Sequence, residues 1–159
     1  MPFTVTNALM FPFFAGNVST AGYPFLTISA GNMLKTVGTR EQHEKYLKPM
    51  LEGRYTGTMN LSEPHAGSSL GDITTKAVLQ TDGTYSIHGT KMWISGCDHN
   101  LSENIIHMVL AKVVHPDCNN NSNNSNNNSN KVEAGVKGIS LFIVPKYHIN
   151  KKKSETNNS

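Results

Sequence analysis

Residues 60–72 read NLSEPHAGSSLGD, and this stretch gives the first indication of the fold. It holds two glycines, one proline, two carboxylates and three serines, but few side chains that could fill a core. Glycine lets backbone amides come close to a ligand, and serine hydroxyls can both donate and accept hydrogen bonds. The stretch is therefore a candidate ligand-binding loop, although an ordinary surface turn has a similar composition.

Short β-segments lie on both sides of this loop. Thr81-Asp82-Gly83 is a hairpin signal between two of them. Closely spaced strands of this kind predict an antiparallel sandwich or barrel. The predicted strands cover residues 56–61, 74–80, 84–89, 90–95, 105–114 and 138–145.

The first third of the chain is predicted to be helical. Apolar residues recur at helical spacing from Phe25 to Gly38, where glycine suits a helix end. Thr39 and Gln42 match a capping box that begins a second helix. We predict that this second helix ends before Pro49, because proline disfavours the helical conformation of the residue that precedes it.

These patterns predict an α+β fold with two parts. A partial helical domain covers residues 1–53, and an antiparallel β-barrel or sandwich domain covers residues 54–146. Residues 119–130 contain only Asn and Ser, which cannot bury enough apolar surface to offset the entropy of ordering. We therefore expect a disordered insertion at 117–134 and a disordered polar tail at 147–159.

Composition argues against several classes of function. The formal net charge is +3, and the basic residues are scattered apart from the short run Lys151–Lys153, so nucleic-acid binding is not expected. No apolar run is long enough to span a membrane. The N-terminal stretch lacks the basic start of a secretory signal and is interrupted by Pro12, so secretion is not expected. Cys97 and Cys118 form no disulfide framework, which fits a reducing compartment.

A second candidate stretch is Trp93-Ile94-Ser95, at the end of a predicted strand. An indole face beside hydroxyl and amide donors suits a planar ring with polar edges, such as a flavin. Taken alone, a tryptophan is more often a core residue. The Cys, Asp and His residues at 97–99 and 107 match no standard ligand spacing, so no metal site is predicted.

Several motifs, in the right order, resemble the acyl-CoA dehydrogenase family. LSEPHAGS (residues 61–68) is similar to the family's TEP-x-AGSD signature, and GTKMWIS (residues 89–95) is similar to its G-x-K-x-[WF]-I-[TS] signature. GTMNLSEP and LSENIIHMVLAKV (residues 101–113) resemble the 3-methylmercaptopropionyl-CoA dehydrogenase-like members. The resemblance covers residues 39–146, which correspond to the end of the helical N-terminal domain and the middle β-domain.

The resemblance implies an FAD site in the β-domain, and Ser68 would also contact the acyl-CoA substrate. Ser62 and Ser95 stand where the family often has threonine, and serine keeps the hydroxyl group. Ser69 stands where the signature has aspartate, and Asp72 lies nearby. The cofactor-binding residues implied are Met59, Leu61, Ser62, Gly67, Ser68, Trp93, Ile94 and Ser95.

The activity implied is α,β-dehydrogenation of an acyl-CoA thioester, in which a carboxylate removes the α-proton and FAD accepts a hydride from the β-carbon. The family's base is a glutamate from a C-terminal helical bundle, and no segment of this sequence resembles that bundle. We expect Glu63 to be structural rather than catalytic. The chain is therefore expected to be a fragment that is inactive by itself.

The family also suggests partners and an alternative. Its members form dimers or tetramers, pass electrons to an electron-transfer flavoprotein, and work in the bacterial cytoplasm or in mitochondria. A second hypothesis is a non-catalytic β-module that keeps the fold and binds flavin weakly or binds a protein partner. Ser69 in place of aspartate and the missing base favour this second hypothesis.

Overall fold

The computed structural model describes residues 3–115, 131–132 and 135–149. Helices come first and strands follow, with the change between residues 51 and 55. The helices are α1 (Phe3–Gly16), α2 (Val18–Val37), α3 (Arg40–Gln42) and α4 (Lys48–Leu51), with a π-helical turn (His43–Leu47) between the last two. The strands are β1 (Tyr55–Asn60), β2 (Lys76–Leu79), β3 (Tyr85–His88), β4 (Asn104–His115), β5 (Lys131–Val132) and β6 (Ile139–Pro145). Two short 3₁₀ turns cover Leu70–Asp72 and Gly135–Gly138.

The predicted helix boundaries at Gly38 and Thr39 are confirmed. The Gly38 N–H donates to the Leu34 carbonyl at the end of α2. The capping box has both of its bonds: the Thr39 N–H donates to Gln42 Oε1 at 2.8 Å, and the Gln42 N–H donates to Thr39 Oγ1 at 3.2 Å. Helix α2 begins earlier than predicted because Asn17 caps it, accepting the Thr20 N–H at 2.9 Å.

The prediction that the second helix ends before Pro49 is wrong. The helical path continues to Leu51, and Lys48 keeps a right-handed helical conformation. The Lys48 N–H donates to the His43 carbonyl, five residues earlier, so the turn before Pro49 is wider than an α-helical turn. A wider turn leaves room for the proline ring, which clashes with the preceding turn of a regular α-helix.

Strand β4 organises the sheet. Strand β6 runs antiparallel to β4 along one edge and pairs with residues 106–112. Strands β1 and β2 run parallel to β4 along the opposite edge, at residues 104–109 and 112–114 respectively. They therefore lie end to end, and residues 61–75, which we call the binding loop, leave the sheet between them. Strand β3 pairs with β2, and β5 pairs with the end of β4, both antiparallel.

The predicted combination of helices with a β-domain is confirmed, but the strand arrangement differs in three respects. The sheet is mixed rather than antiparallel, because the long connections before β4 allow β1 and β2 to lie parallel to it. Within the described residues the sheet does not close into a barrel. The predicted strand at 90–95 is absent because Trp93 has a φ of 62°, which is incompatible with extended pairing.

The hydrophobic core lies between the helices and one face of the sheet. Buried residues of α2, the π-helical turn, α4 and β4 form one cluster. Gly57 of β1 lets α2 approach closely, since a Cβ atom at Gly57 would lie 2.6 Å from the Ala30 Cβ. The Gly57 N–H also donates to Thr27 Oγ1 at 3.1 Å. The helices therefore fix the position of β1, which leads directly into the binding loop.

The segments expected to be disordered are covered only in part. Strand β5 lies inside the expected insertion at 117–134. Tyr147 was assigned to the tail, yet its N–H donates to Asn104 Oδ1 at 3.0 Å and its carbonyl accepts from Asn104 Nδ2 at 2.8 Å. The asparagine-rich tract at 119–130, Cys118 and the tail from residue 150 lie outside the described residues. No helix in the described ranges is both long and apolar enough to cross a membrane.

Candidate flavin-contacting site

The Glu63 carboxylate joins the two ends of the binding loop. Its Oε2 atom accepts the Thr74 N–H at 2.7 Å and the Thr74 hydroxyl at 2.9 Å. Its Oε1 atom accepts the Thr75 N–H at 3.0 Å and the Thr75 hydroxyl at 2.5 Å. Glu63 and Ala66 also exchange backbone hydrogen bonds at 2.7 and 3.1 Å. One buried side chain therefore connects the end of the loop that follows β1 to the end that precedes β2.

Lys91 attaches residues 89–95, which we call the second motif, to the binding loop. Its Nζ atom donates to the Leu61 carbonyl at 2.8 Å and to Glu63 Oε1 at 2.9 Å. The next residue adds a backbone bond, from the Met92 N–H to the Ser62 carbonyl at 3.0 Å. The two motifs that were separate in the sequence are thus side by side at the end of β1. We call Glu63, Thr74, Thr75 and Lys91 the Glu63 cluster.

The environment of Glu63 keeps its carboxylate ionised. Burial alone would raise the pKa of Glu63, because the side chain is 1% exposed. Hydrogen bonds from Thr75, Thr74 and Lys91 outweigh burial and hold the pKa of this carboxyl well below its usual range. Each of the two carboxylate oxygens already accepts at least two hydrogen bonds from within the protein. Glu63 therefore has a structural role and is not available as a catalytic base.

A second polar group lies between β1 and β4, where Thr58 and Asn60 are buried and His107 is half-buried. His107 Nδ1 lies 2.8 Å from Thr58 Oγ1, and the Thr58 hydroxyl donates to Asn60 Oδ1 at 2.6 Å. Because the single hydroxyl proton goes to Asn60, His107 Nδ1 is the donor to Thr58. Burial, together with the nearby Lys146 charge, lowers the pKa of His107.

We expect the free energy of unfolding to fall in acid in two stages. Both Glu63 and His107 have folded-state pKa values below their ordinary values, so each binds a proton more readily in the unfolded chain. The folded state therefore loses stability below about pH 6.5 through His107, and again below about pH 4.3 through Glu63. Urea unfolding at a series of pH values measures this. His107→Gln should remove the first stage only, and a stability that stays constant into mild acid would contradict the assignment.

Trp93 is held outward in a strained conformation. Its side chain is 84% exposed. Among the described residues it is the only non-glycine residue with a positive φ, at 62°. For such a residue the left-handed conformation costs about 1–2 kcal/mol. The conformation of Trp93 therefore lowers the stability of the fold, and it leaves a large aromatic ring exposed directly after the junction of the two motifs.

The strain at Trp93 can be measured by comparing two variants. Both Trp93→Ala and Trp93→Gly remove the exposed ring, but only glycine adopts the left-handed conformation without cost. We expect Trp93→Gly to be the more stable variant, with a free energy of unfolding about 1 kcal/mol above that of Trp93→Ala. The same pair at Ser95, where φ is not positive, serves as the control, and there alanine should be the more stable residue. If alanine were more stable than glycine at both positions, the result would contradict a strained backbone at Trp93.

The predicted site residues other than Trp93 fall into four groups. Leu61 and Ser62 are half-buried and take part in the junction through their carbonyl groups. The side chain of Met59 packs against the core cluster, so it serves the fold. Ile94 is half-buried beside Trp93. The remaining three are exposed and follow the junction along the chain: Gly67, Ser68 and Ser95.

Neither packing nor backbone conformation requires a glycine at position 67. A Cβ atom built there meets nothing within 4 Å, and its φ is not in the left-handed region. In contrast, a Cβ atom on Gly89 would lie 2.4 Å from Thr75 Oγ1. Gly89 is thus required by the fold, whereas Gly67 keeps an outer surface open. An exposed indole ring that lies two residues before a serine hydroxyl has the chemistry to receive a planar, polar-edged ring system such as a flavin.

Three members of the Glu63 cluster were not singled out from the sequence. Lys91 lies inside the second motif, and Thr74-Thr75 precede β2. The sequence carries no local signal for these three residues, because the burial of Glu63, which requires several donors, is seen only in the fold. The departure from the signature is also explained locally, because the Ser69 hydroxyl donates to Asp72 Oδ2 at 2.6 Å. This contact places a carboxylate beside Ser69.

Two polar side chains that follow the second motif, those of Asp98 and His99, have partners within the protein. Asp98 pairs with Lys146, and the Lys146 ammonium lowers the pKa of the Asp98 carboxyl. His99 Nε2 lies 3.3 Å from Thr56 Oγ1. In the described part of the chain, no three His, Cys, Asp or Glu side chains are grouped so that they could hold a metal ion.

A cleft of about 640 Å³ lies elsewhere, between the helices and the side of the sheet formed by β3 and β6. Leu34, Met108 and Ile143 are among the apolar residues that line it, and Glu41 and Lys45 lie among its polar residues. None of the predicted site residues lines this cleft. The two motifs therefore present an exposed surface that is separate from it.

No protein-family model matches the chain. The chain is 45% identical over 123 residues to the 3-methylmercaptopropionyl-CoA dehydrogenase of Ruegeria pomeroyi, covering 77% of this chain and 18% of that protein. Butyryl-CoA dehydrogenase from Megasphaera elsdenii matches in structure with a TM-score of 0.60 at 28% identity, over 80% of this chain and 28% of that one.

A further structural match is to a structure of the electron transferring flavoprotein of Acidaminococcus fermentans, with a TM-score of 0.52 and 32% identity, over 73% of this chain and 25% of that one. The chain spans 18% of the length of the first curated relatives that it matches. The match in sequence to the Ruegeria pomeroyi protein and the match in structure to butyryl-CoA dehydrogenase agree on one family and on a part of it. The chain is homologous to one segment of the acyl-CoA dehydrogenases.

Proposed function

We propose that this chain is the flavin-contacting segment of an FAD-dependent acyl-CoA dehydrogenase, which catalyses α,β-dehydrogenation of an acyl-CoA thioester. The finer proposal is a substrate of the 3-methylmercaptopropionyl-CoA type, because the relative from Ruegeria pomeroyi carries that name and is 45% identical to this chain. The observation that carries the proposal is the junction of the two motifs beside the exposed Trp93 face.

The residues of this chain would bind and orient the reactants. Trp93 would cover one part of the ring system, and the hydroxyl groups of Ser62 and Ser95 would hydrogen-bond its polar edge. Gly67 would allow close approach of the backbone, and Ser68 would contact the acyl-CoA. When bound, FAD would supply the acceptor for the hydride that leaves the β-carbon of the substrate.

The base that removes the α-proton is proposed to lie outside this segment. Glu63, the carboxylate within the first motif, is buried and fully hydrogen-bonded, and its low pKa makes it a weak base. The curated relatives are several times longer than the chain, which spans 18% of their length. We therefore expect the isolated chain to bind FAD without oxidising acyl-CoA.

Two partners follow from the proposal. Acyl-CoA is the substrate, and an electron-transfer flavoprotein is the electron acceptor, in line with the structural match to a flavoprotein of that kind. A homo-oligomer is also proposed for the complete enzyme, by analogy with the family.

The alternative is a non-catalytic β-module. Ser69 replaces the aspartate of the family signature, which favours this alternative. The contact from Ser69 to Asp72 favours the enzyme, because it restores a carboxylate at that position. Addition in trans of the portion of a related enzyme that this segment does not span distinguishes the two, since only an enzyme segment would support oxidation of acyl-CoA.

Titration of the 159-residue chain with FAD, followed by flavin absorbance, tests the proposal. Wild-type chain should bind saturably. Trp93→Ala should weaken binding by up to about tenfold through loss of aromatic stacking, and Ser95→Ala by about fivefold through loss of one hydrogen bond. The matched controls are Phe11→Ala, an exposed aromatic residue in α1, and Ser140→Ala, an exposed serine in β6. Equal losses in variants and controls would contradict the proposed surface.

A further inference from the structure

The Lys91 side chain occupies a position that a structural ion pair alone does not require. It is 10% exposed, and it bridges two different kinds of acceptor: a carbonyl at the end of β1 and the Glu63 carboxylate. Without Lys91, Glu63 would still accept four hydrogen bonds from Thr74 and Thr75. The binding loop can therefore close without Lys91, whereas the second motif would lose its side-chain connection to it.

The connection lies directly before the strained residue. Lys91 and Met92 are bonded to residues 61–63, and Trp93 follows with its left-handed backbone. The far end of this segment is held by a different residue, because Lys146 Nζ donates to the His99 carbonyl at 3.1 Å. The path from Met92 to His99 is thus attached at both ends. On the Trp93 side the attachment consists of the Met92 backbone bond and the two bonds of the Lys91 side chain, which are the only side-chain bonds among them.

We propose that Lys91 is a positioning residue that holds Trp93 in the conformation needed to receive the flavin ring. This inference rests on the proposed function of the two motifs. A non-glycine residue leaves the left-handed conformation when nothing holds it there. Loss of Lys91 would lower the fraction of molecules with Trp93 in place, and a fall to about one tenth would raise the apparent Kd for FAD about tenfold.

Lys91→Met in the 159-residue chain tests the inference, with Lys112→Met as the matched control. Lys112 is also half-buried and donates to a carbonyl of the binding loop, that of Gly71 at 2.8 Å, but it has no bond to the second motif. Trp93 is the only tryptophan in the sequence, so its fluorescence anisotropy reports on this segment directly. The first readout is that anisotropy without FAD, and the second is the Kd for FAD.

Lys91→Met should lower the anisotropy of Trp93 and raise the Kd about tenfold, whereas Lys112→Met should change neither. Lys91→Arg keeps the charge and the donors and should restore part of both. Unchanged anisotropy and Kd in Lys91→Met would overturn the inference. Failure of the wild-type chain to bind FAD would overturn the proposed function instead, while the anisotropy comparison would still decide whether Lys91 holds Trp93.

Hydrogen exchange of the wild-type chain covers the case in which Lys91→Met does not fold. The Met92 amide, bonded to the Ser62 carbonyl, should be protected together with the Thr74 and Thr75 amides that donate to Glu63. Exchange of the Met92 amide at the rate of an unstructured peptide would overturn the inference.

Discussion

Replacement of Glu63 by alanine is expected to lower the free energy of unfolding by about 3–5 kcal/mol. The change leaves the Lys91 ammonium, which is 10% exposed, without its counter-ion. It also removes the acceptor of four hydrogen bonds from Thr74 and Thr75. Because small domains have a total stability of about 5–15 kcal/mol, a loss of this size brings the chain close to unfolding.

Glu103→Ala is the matched control for this prediction. Glu103 is also paired with a cation, Arg54, at 3.2 Å, but its side chain is 59% exposed. An exposed pair contributes about 0–1 kcal/mol, so this variant should remain near wild type. Urea unfolding followed by circular dichroism measures both variants. Similar, small losses at the two positions would show that the Glu63 cluster does not close the binding loop.

Replacement of Gly89 by alanine is expected to cost about 2–4 kcal/mol, through overpacking and an unfavourable backbone conformation together. Gly89 has a φ of 155°, and a Cβ atom there would lie 2.4 Å from Thr75 Oγ1 and 2.8 Å from the Thr75 Cα. Thr75 has little freedom to move. Its N–H and hydroxyl bind Glu63, and its carbonyl accepts the Lys112 N–H at 2.8 Å.

Two other glycines separate the two causes. Gly83 has a φ of 80° with open space around it, so Gly83→Ala should show only the conformational cost, about 1 kcal/mol. Gly67 has neither constraint, so Gly67→Ala should change stability by less than about 0.5 kcal/mol. Thermal or urea unfolding of the three variants gives the order directly. A loss at Gly89 no larger than that at Gly83 would mean that the packing around Thr75 is not as described.

Local features of the fold could be predicted from the sequence because their causes are local. The capping box at Thr39 and Gln42 needs only residues three apart, and it is present with both bonds. The long apolar run from Ile105 to Val114 predicted a buried strand, which is β4. The two motifs could be recognised by resemblance, and their side-by-side position agrees with one site.

The features that were not predicted depend on residues far apart in the chain. Glu63 meets Lys91 across 28 positions, and nothing local to either residue indicates the pairing. The parallel pairing of β1 with β4 depends on the long connection that brings them together. The left-handed backbone of Trp93 comes directly after residues that bond to a loop far away in the chain, and no strand pattern at 90–95 indicates it.

The central claim is that the two motifs form one flavin-contacting surface, and Trp93 tests it most directly. As the only tryptophan, Trp93 reports on ring contact without any label. Titration of the folded wild-type chain with FAD should quench its emission saturably, along the same curve as the change in flavin absorbance. Trp93 emission that stays unchanged while FAD is in large excess over the folded chain would contradict the claim.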